Sequence, residues 1–326
     1  MKCIISKISD PYFNLASEEY LLKNRNEDFF LLYRNEPSII IGKHQNAFAE
    51  INWDFVIKHK IKVARRLSGG GTVYHDRGNL NFAFIRKGLE GKLVDFKKYT
   101  APIQEALDKM GIETKFEGYN SLNLNGLKVS GNAEHVFKKR VLHHGTLLFS
   151  TDLANLEEAI SISPGQYSDK AVKSVRAKVT NISESLENKL TIEEFESGVM
   201  HYFRESDPGS ETYVFDRKEI QQINRLKAQK YETWRWIFSY SPKYKFSKTI
   251  ELNKGSLEVK IDVDKGIIEN ANISGSILLS EKLKELEALL PGLYHKPDQI
   301  LGAWEKATGQ ITFSQKEMNT ILSAFF

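Results

Sequence analysis

Three stretches of this chain carry residues whose types and spacing could do chemistry. The first is Arg65-Arg66-Leu67-Ser68-Gly69-Gly70-Gly71-Thr72-Val73-Tyr74-His75-Asp76. Consecutive glycines can turn successive N–H groups toward an anion, forming the backbone nest that cradles phosphates. Arg66 adds a planar fork of donors suited to phosphate or carboxylate. The same residues also fit a flexible surface loop with solvated arginines. No Gly-Lys-Ser/Thr and no Gly-x-Gly-x-x-Gly occurs here, so the loop is neither a Walker A motif nor a dinucleotide fingerprint. The second stretch, Gly126-Leu127-Lys128-Val129-Ser130-Gly131-Asn132-Ala133, puts a lysine beside the Asn125-Gly126 turn, where by itself it reads as solvated. The third is His143-His144-Gly145-Thr146-Leu147-Leu148. On a strand the two histidines alternate, so only one can face a pocket. A satisfied core histidine and a general base fit that residue equally. No other histidine or cysteine completes a zinc ligand set.

Strands and helices must hold these groups. Residues 61–64 form a short apolar run before the glycine loop, and 79–85 alternate polar and apolar like a half-buried strand. Residues 3–8 read as a strand, with Asp10-Pro11 as the turn out of it. Asn14 is placed to cap a helix to about Lys23, with Glu18 and Glu19 facing solvent in its first turns. Residues 29–33 and 38–41 are strands, and Gly42-Lys43-His44-Gln45-Asn46 follows the second. Helices are expected over 53–60 and 96–110, and a hairpin turn at Asn125-Gly126. Another turn is expected at Lys138-Lys139-Arg140, with Val136 and Val141 on paired strands. Thr151-Asp152 caps a helix through Ile162, and 163–178, with no clear period, reads as a loop near the active site. Thr191-Ile192-Glu193-Glu194 is a capping box, and a helix from Asp216 runs toward Phe238. Strands with helices between them argue α+β: a mixed sheet backed by helices.

Tyr240-Ser241-Pro242-Lys243 marks a boundary, giving domains 1–243 and 244–326. In the second, Leu257, Val259, Ile261 and Val263 alternate with Glu258, Lys260, Asp262 and Asp264. Turn signals at 253–255 and 264–266 imply a three-stranded meander, and helices begin near Ser280, Pro297 and Ser314. The 326 residues, 41% hydrophobic and 27% charged, suit two globular domains. No apolar run reaches the roughly 20 residues of a membrane helix, and the start lacks a secretory signal. A single cysteine excludes intramolecular disulfides and thiolate zinc sites, so a reducing cytoplasm is expected. The charge of +4 fits an acidic partner without implying nucleic acid.

Read together, the glycine loop and residues 120–147 resemble the lipoate–protein ligase A family. Phe13-Asn14-Leu15-Ala16-Ser17-Glu18-Glu19 and Ser174-Val175-Arg176-Ala177-Lys178-Val179-Thr180-Asn181 match the family's order, so the resemblance spans essentially the whole chain. It implies the catalytic fold shared by biotin–protein ligases and class II aminoacyl-tRNA synthetases, with a small α+β accessory domain. It also implies that ATP activates lipoate to lipoyl-AMP, and that the lipoyl group passes to a lysine of lipoyl domains, in E2 subunits of 2-oxoacid dehydrogenases or the glycine cleavage H protein. The catalytic lysine would be Lys128. Arg66 with the backbone of Gly71, Thr72, Val73 and Tyr74, and more weakly Ser68 and Asn120, would hold ATP and the adenylate. Lys128, His144, Gly70 and Arg66 would hold lipoate, His144 being the histidine that the family places in the pocket. Magnesium would travel with ATP, but its protein ligands stay open. Family members commonly carry Asp after the residue matching Asn120, and this chain has Ser121. Relatives that transfer octanoyl or lipoyl groups between carriers use a cysteine nucleophile, for which Cys3 is the only candidate, remote from every motif. A non-catalytic adaptor of the same fold and an RNA-binding protein are two further readings. RNA binding lacks basic residues interleaved with aromatics outside 231–244.

Overall fold

The computed structural model describes residues 1–88, 93–162, 165–253, 255–309 and 313–326. Its strands, in chain order, begin with β1 (Lys2–Ser6), β2 (Phe29–Tyr33), β3 (Ser38–Ile41), β4 (Lys62–Arg65) and β5 (Val73–His75). There follow β6 (Asn79–Lys87), β7 (Lys115–Glu117), β8 (Ser121–Leu124), β9 (Leu127–Phe137) and β10 (Arg140–Leu148). The last are β11 (Tyr167–Asp169), β12 (Glu211–Thr212), β13 (Tyr244–Leu252), β14 (Gly255–Asp264) and β15 (Ile267–Gly275). They belong to two compact units. One holds Met1–Lys43, Ile61–Ala159 and Ser174–Thr233; the other holds His44–Lys60, Ile160–Lys173 and Trp234–Phe326.

The first unit is the expected mixed sheet with helices. Eight strands run in the order β12-β1-β2-β6-β10-β9-β8-β7, and a separate sheet runs β4-β3-β5. β1 pairs parallel with β2, whereas β6 and β10 pair antiparallel. Phe30, Phe82, Phe84, Phe149, Phe195 and Phe203 lie in its core, with Phe30 stacked on Phe84 at 4.6 Å between ring centroids. Each such buried ring contributes roughly 1.5–3 kcal/mol.

β6 departs from the half-buried strand that its alternation suggests. It lies between β2 and β10, and Asn79 and Asn81 are as buried as their apolar neighbours. Their amide nitrogens find internal partners: Asn79 Nδ2 donates to Asn81 Oδ1 (2.9 Å) and Asn81 Nδ2 to the Tyr33 carbonyl (3.3 Å).

The first helix, α1 (Pro11–Asn24), is another correction. Asp10 caps it by accepting from the Tyr12 N–H (3.3 Å), and Pro11 occupies its first position, where a missing N–H costs nothing. Asn14 is therefore inside the helix, donating to the Ile8 carbonyl and to Asn35 Oδ1, both at 2.8 Å. The helix is buried on nearly every side from Phe13 to Leu22, so Glu18 and Glu19 face the interior, only 1% and 3% exposed. Further on, the helix after Asp152 ends at Ala159 rather than Ile162. The helix from Arg217 closes at Leu226 and continues in a widened π turn, Lys227–Tyr231; a second such turn, Arg235–Ser239, follows a break at Thr233 and belongs to the second unit.

In the second unit, β13, β14 and β15 form the expected meander, with Leu257, Val259, Ile261 and Val263 buried. Lys265 and Gly266 make its second turn with φ of 50° and 77°; Lys254, in the first, lies outside the described residues. A fourth strand, β11, pairs antiparallel with β13. It comes from the stretch read as a loop, of which Ser163 and Pro164 lie outside the described residues. Helices Ser280–Leu289, Pro297–Thr308 and Gln315–Ser323 follow. Phe48, Trp53, Trp234, Phe238, His295 and Phe326 pack ring on ring, joining 44–60 to this unit. Among the described residues, no helix is long and apolar enough to cross a membrane.

Candidate active site

The glycine loop exists because of strand order. β3 pairs parallel with β4 on one side and antiparallel with β5 on the other. The chain leaving β4 must therefore pass the end of β3 to reach β5, and residues 66–72 make that crossing. Its backbone is pinned to the chain that leaves β3: Arg66 N donates to the Ile41 carbonyl (3.0 Å), and Lys43 N to that of Ser68 (2.9 Å). Gly70, at φ +86°, takes a conformation that a side chain would strain.

Arg66 is wound into this loop. Its Nε donates to Ser68 Oγ (3.0 Å), one terminal nitrogen to the Ile40 carbonyl (3.0 Å), and the other to the carbonyls of Gly69 (2.6 Å) and Gly71 (2.7 Å). Burial pushes its pKa down to about 10, which leaves it charged at neutral pH. The guanidinium expected to fork a ligand thus holds the loop's own carbonyls.

Lys128 lies just past the β8–β9 turn, where Asn125 and Gly126 have φ of 52° and 79°. Its backbone is bracketed by a third segment: Lys128 N donates to the Lys178 carbonyl (3.0 Å), and Thr180 N to the Lys128 carbonyl (3.1 Å). The side chain is half-buried and lies over Gly131. Burial, and then the charge of Arg66, lower its pKa. Its ammonium has no hydrogen bond or ion pair among the described residues.

His144 projects from β10 into a buried chain of hydrogen bonds. Its Nε2 is 2.6 Å from Ser68 Oγ and its Nδ1 is 2.8 Å from Glu18 Oε2. The other oxygen of Glu18 accepts from the Tyr33 hydroxyl (2.8 Å). His143 points the opposite way, between Glu134 Oε1 (2.9 Å) and Thr100 Oγ1 (3.2 Å), a satisfied core histidine. Arg66, Ser68, His144 and Lys128 are thus gathered by direct bonds or by charge.

Thr72 N is held by Ser174 Oγ (2.9 Å), and Ser174 packs against Gly71. Val73 and Tyr74 enter β5, opposite Ile40 and Ile39. Tyr74 is buried, and desolvation, followed by Asp76 and Asp152, pushes its phenol up to about 12. Asn120 ties β8 to β9: its Nδ2 donates to the Asn132 carbonyl (2.6 Å), and Asn132 N and Nδ2 donate to its carbonyl (2.8 and 3.0 Å). Ser121 pairs with Gly131. His44 is exposed and Gln45 buried, both in the second unit.

Residues 10–204 match the lipoyl protein ligase A/B catalytic domain, and residues 241–325 match the bacterial lipoate protein ligase C-terminus. Lipoate–protein ligase 1 of Staphylococcus aureus is 40% identical over 298 residues, covering 90% of each chain. The chain belongs to the lipoate–protein ligase family. Lipoate-protein ligase LplJ of Bacillus subtilis is 39% identical over 302 residues, 91% of each. The fold is also that of P. falciparum LipL1, solved in complex with lipoate (TM-score 0.62, 24% identity, 99% of this chain and 98% of that one). A lipoate–protein ligase A bound with ATP has TM-score 0.61 and 23% identity, covering 73% of this chain and 99% of the other.

Two contributions to the candidate site escape the sequence, Glu18 and Tyr33, whereas Ser174 and the 178–180 segment belong to stretches read as a loop near the active site or matched to the family. A strong signal for Glu18 was available, since a helix apolar on several sides leaves no outer face for its acids. Among the described residues, no group of three His, Cys, Asp or Glu side chains could hold a metal ion. Ser121 is neutral and no such group lies beside it, so the described residues do not fit a protein-held divalent cation.

Proposed function

We propose that this ligase joins lipoate to ATP as lipoyl-AMP and passes the lipoyl group to a lysine on lipoyl domains of E2 subunits or on the H protein. The observation that carries this reading is Lys128. A half-buried ammonium with no partner among the described residues, beside the charge of Arg66, is costly unless an anion joins it. Lipoate carboxylate and the α-phosphate of ATP are two such anions, and they repel each other until cations offset their charge.

In the first step a carboxylate oxygen attacks the α-phosphorus and pyrophosphate leaves. In the second, the acceptor amine attacks the carbonyl carbon of the adenylate, loses a proton, and AMP leaves. Lys128 bridges carbonyl and phosphate oxygens through both, and it stabilises the oxyanion that forms in the second. Arg66 shapes the loop from Ser68 to Tyr74, whose N–H groups at Gly71, Thr72, Val73 and Tyr74 then receive the nucleotide, with Ser68 and Asn120 at its margin. Thr72 N, now on Ser174 Oγ, exchanges that partner for a phosphate oxygen. Gly70 and His144 adjoin the lipoyl chain. Magnesium belongs on the phosphate oxygens of ATP rather than in a protein cage. Residues 1–243 are assigned the chemistry and 244–326 the accessory role. A cytoplasmic site of action suits a chain with a single, unpaired cysteine.

Lys128→Ala tests this reading. Losing one preorganised charge contact costs about 2.7–4 kcal/mol, roughly 100- to 1000-fold in rate. Lipoate-dependent ATP–pyrophosphate exchange should fall by that factor without loss of folding. A variant keeping half of the wild-type exchange removes Lys128 from the mechanism.

A further inference from the structure

Adenylate chemistry needs no nucleophile from the enzyme, because the acceptor amine attacks the mixed anhydride directly. Ser68, His144 and Glu18 nevertheless stand as nucleophile, base and orienting acid. Ser68 Oγ is 2.6 Å from His144 Nε2, and His144 Nδ1 is 2.8 Å from Glu18 Oε2. The partners assign the tautomer. A carboxylate at Nδ1 places the ring proton there, which leaves Nε2 to accept the Ser68 proton. Tyr33 fixes the second Glu18 oxygen, and Arg66 Nε donates to Ser68 Oγ at 3.0 Å, favouring negative charge on it. Ser68, His144 and Glu18 are 1%, 6% and 1% exposed, so bulk water is kept from them.

We propose that Ser68 is an acyl-accepting nucleophile, and that this protein forms an acyl-Ser68 ester from medium-chain acyl thioesters without ATP. The proposal rests on the site's being the lipoate pocket, which sets the acyl class. It supplies a nucleophile for an ATP-independent transfer, a role for which Cys3 is badly placed. Cys3 is buried on β1, and β2 and β6 separate that strand from β10.

Ser68 Oγ attacks the thioester carbonyl while its proton moves to His144 Nε2. The tetrahedral intermediate collapses, the C–S bond breaks, and the leaving sulfur takes that proton as free thiol. Water or an acceptor amine then attacks the ester, His144 takes a proton from it, and Ser68 recovers its own as the C–O bond breaks. Glu18 is a positioning residue: it touches no reacting atom and holds the imidazole in the required tautomer.

The test incubates the full-length protein with octanoyl-pantetheine and no ATP, then reads released thiol and intact mass. One octanoyl group should appear, mapping to Ser68. Ser68→Ala should take no acyl group, and Ser68→Cys should restore the adduct as a thioester, so an unfolded alanine variant does not decide the matter. Glu18→Gln should lower kcat for thiol release by about 100-fold with KM unchanged. An unacylated wild-type protein that still lipoylates a lipoyl domain with ATP overturns this inference alone. An adduct that persists in Ser68→Ala overturns it as well. Absence of both activities overturns the ligase reading too.

Discussion

Arg66→Lys separates a residue that builds the loop from one that awaits a ligand. The guanidinium makes four internal hydrogen bonds, to Ser68 Oγ and to the carbonyls of Ile40, Gly69 and Gly71. A lysine ammonium is a point donor on a flexible stem, and it can keep one or two of these. Hydrogen bonds to a charged group are each worth about 1.5–3 kcal/mol, and the part-buried carbonyls of Gly69 and Gly71 recover some of the loss from water. The net cost should be about 3–5 kcal/mol. At roughly 2–4 °C per kcal/mol for a domain of this size, the midpoint should drop by about 10 °C. Thermal and urea melts of the ligand-free variant measure this without any turnover assay. An unchanged midpoint with activity lost would refute the reasoning, because the fork would then be reserved for the nucleotide.

Cys3→Ser should leave lipoyl transfer within twofold of wild type and cost about 1–2 kcal/mol of stability, since a hydroxyl replaces a thiol that is 3% exposed; loss of transfer with an intact fold would place Cys3 in the mechanism. Acid should destabilise the second unit through His295. It accepts from the Tyr244 hydroxyl and donates to the Phe325 carbonyl, both at 2.6 Å, and burial pushes its pKa down to about 4. The unfolded chain takes up a proton near pH 6.5 and the folded one only near 4, so stability is lost as pH falls between them. From pH 7 to 5 the loss is roughly 2 kcal/mol, and His295→Asn, which carries no such proton, should lose that much less in urea titrations at the two values.

The accessory meander was legible because β14 has one wet face: Leu257 to Val263 point inward while Glu258 and Lys260 meet solvent, so period two survives in the sequence. The same logic failed for α1 and β6, which are covered on both sides. Polar residues there mark internal partners rather than a surface; apolar residues on several sides of α1 announce this for Glu18, whereas Asn79 and Asn81 carry nothing local to announce it. Lys128, Arg66 and the glycine triplet were legible as a set through a family pattern, whereas their geometry was not. Arg66 turning back onto Gly69 and Gly71, Ser174 reaching Thr72, and the Glu18–His144 contact over 126 positions all depend on strand order. The pairing of β11 with β13 was hidden likewise, since three residues show no period and their partner lies far along the chain.

The central claim, that this protein uses ATP to place lipoate on a protein lysine, is tested most directly by weighing an acceptor. A purified lipoyl domain incubated with the enzyme, lipoate, ATP and magnesium should gain the mass of one lipoyl group on a single lysine, and none when ATP is omitted. A domain of unchanged mass in the complete mixture, or an equal gain from free lipoate without ATP, would contradict the account.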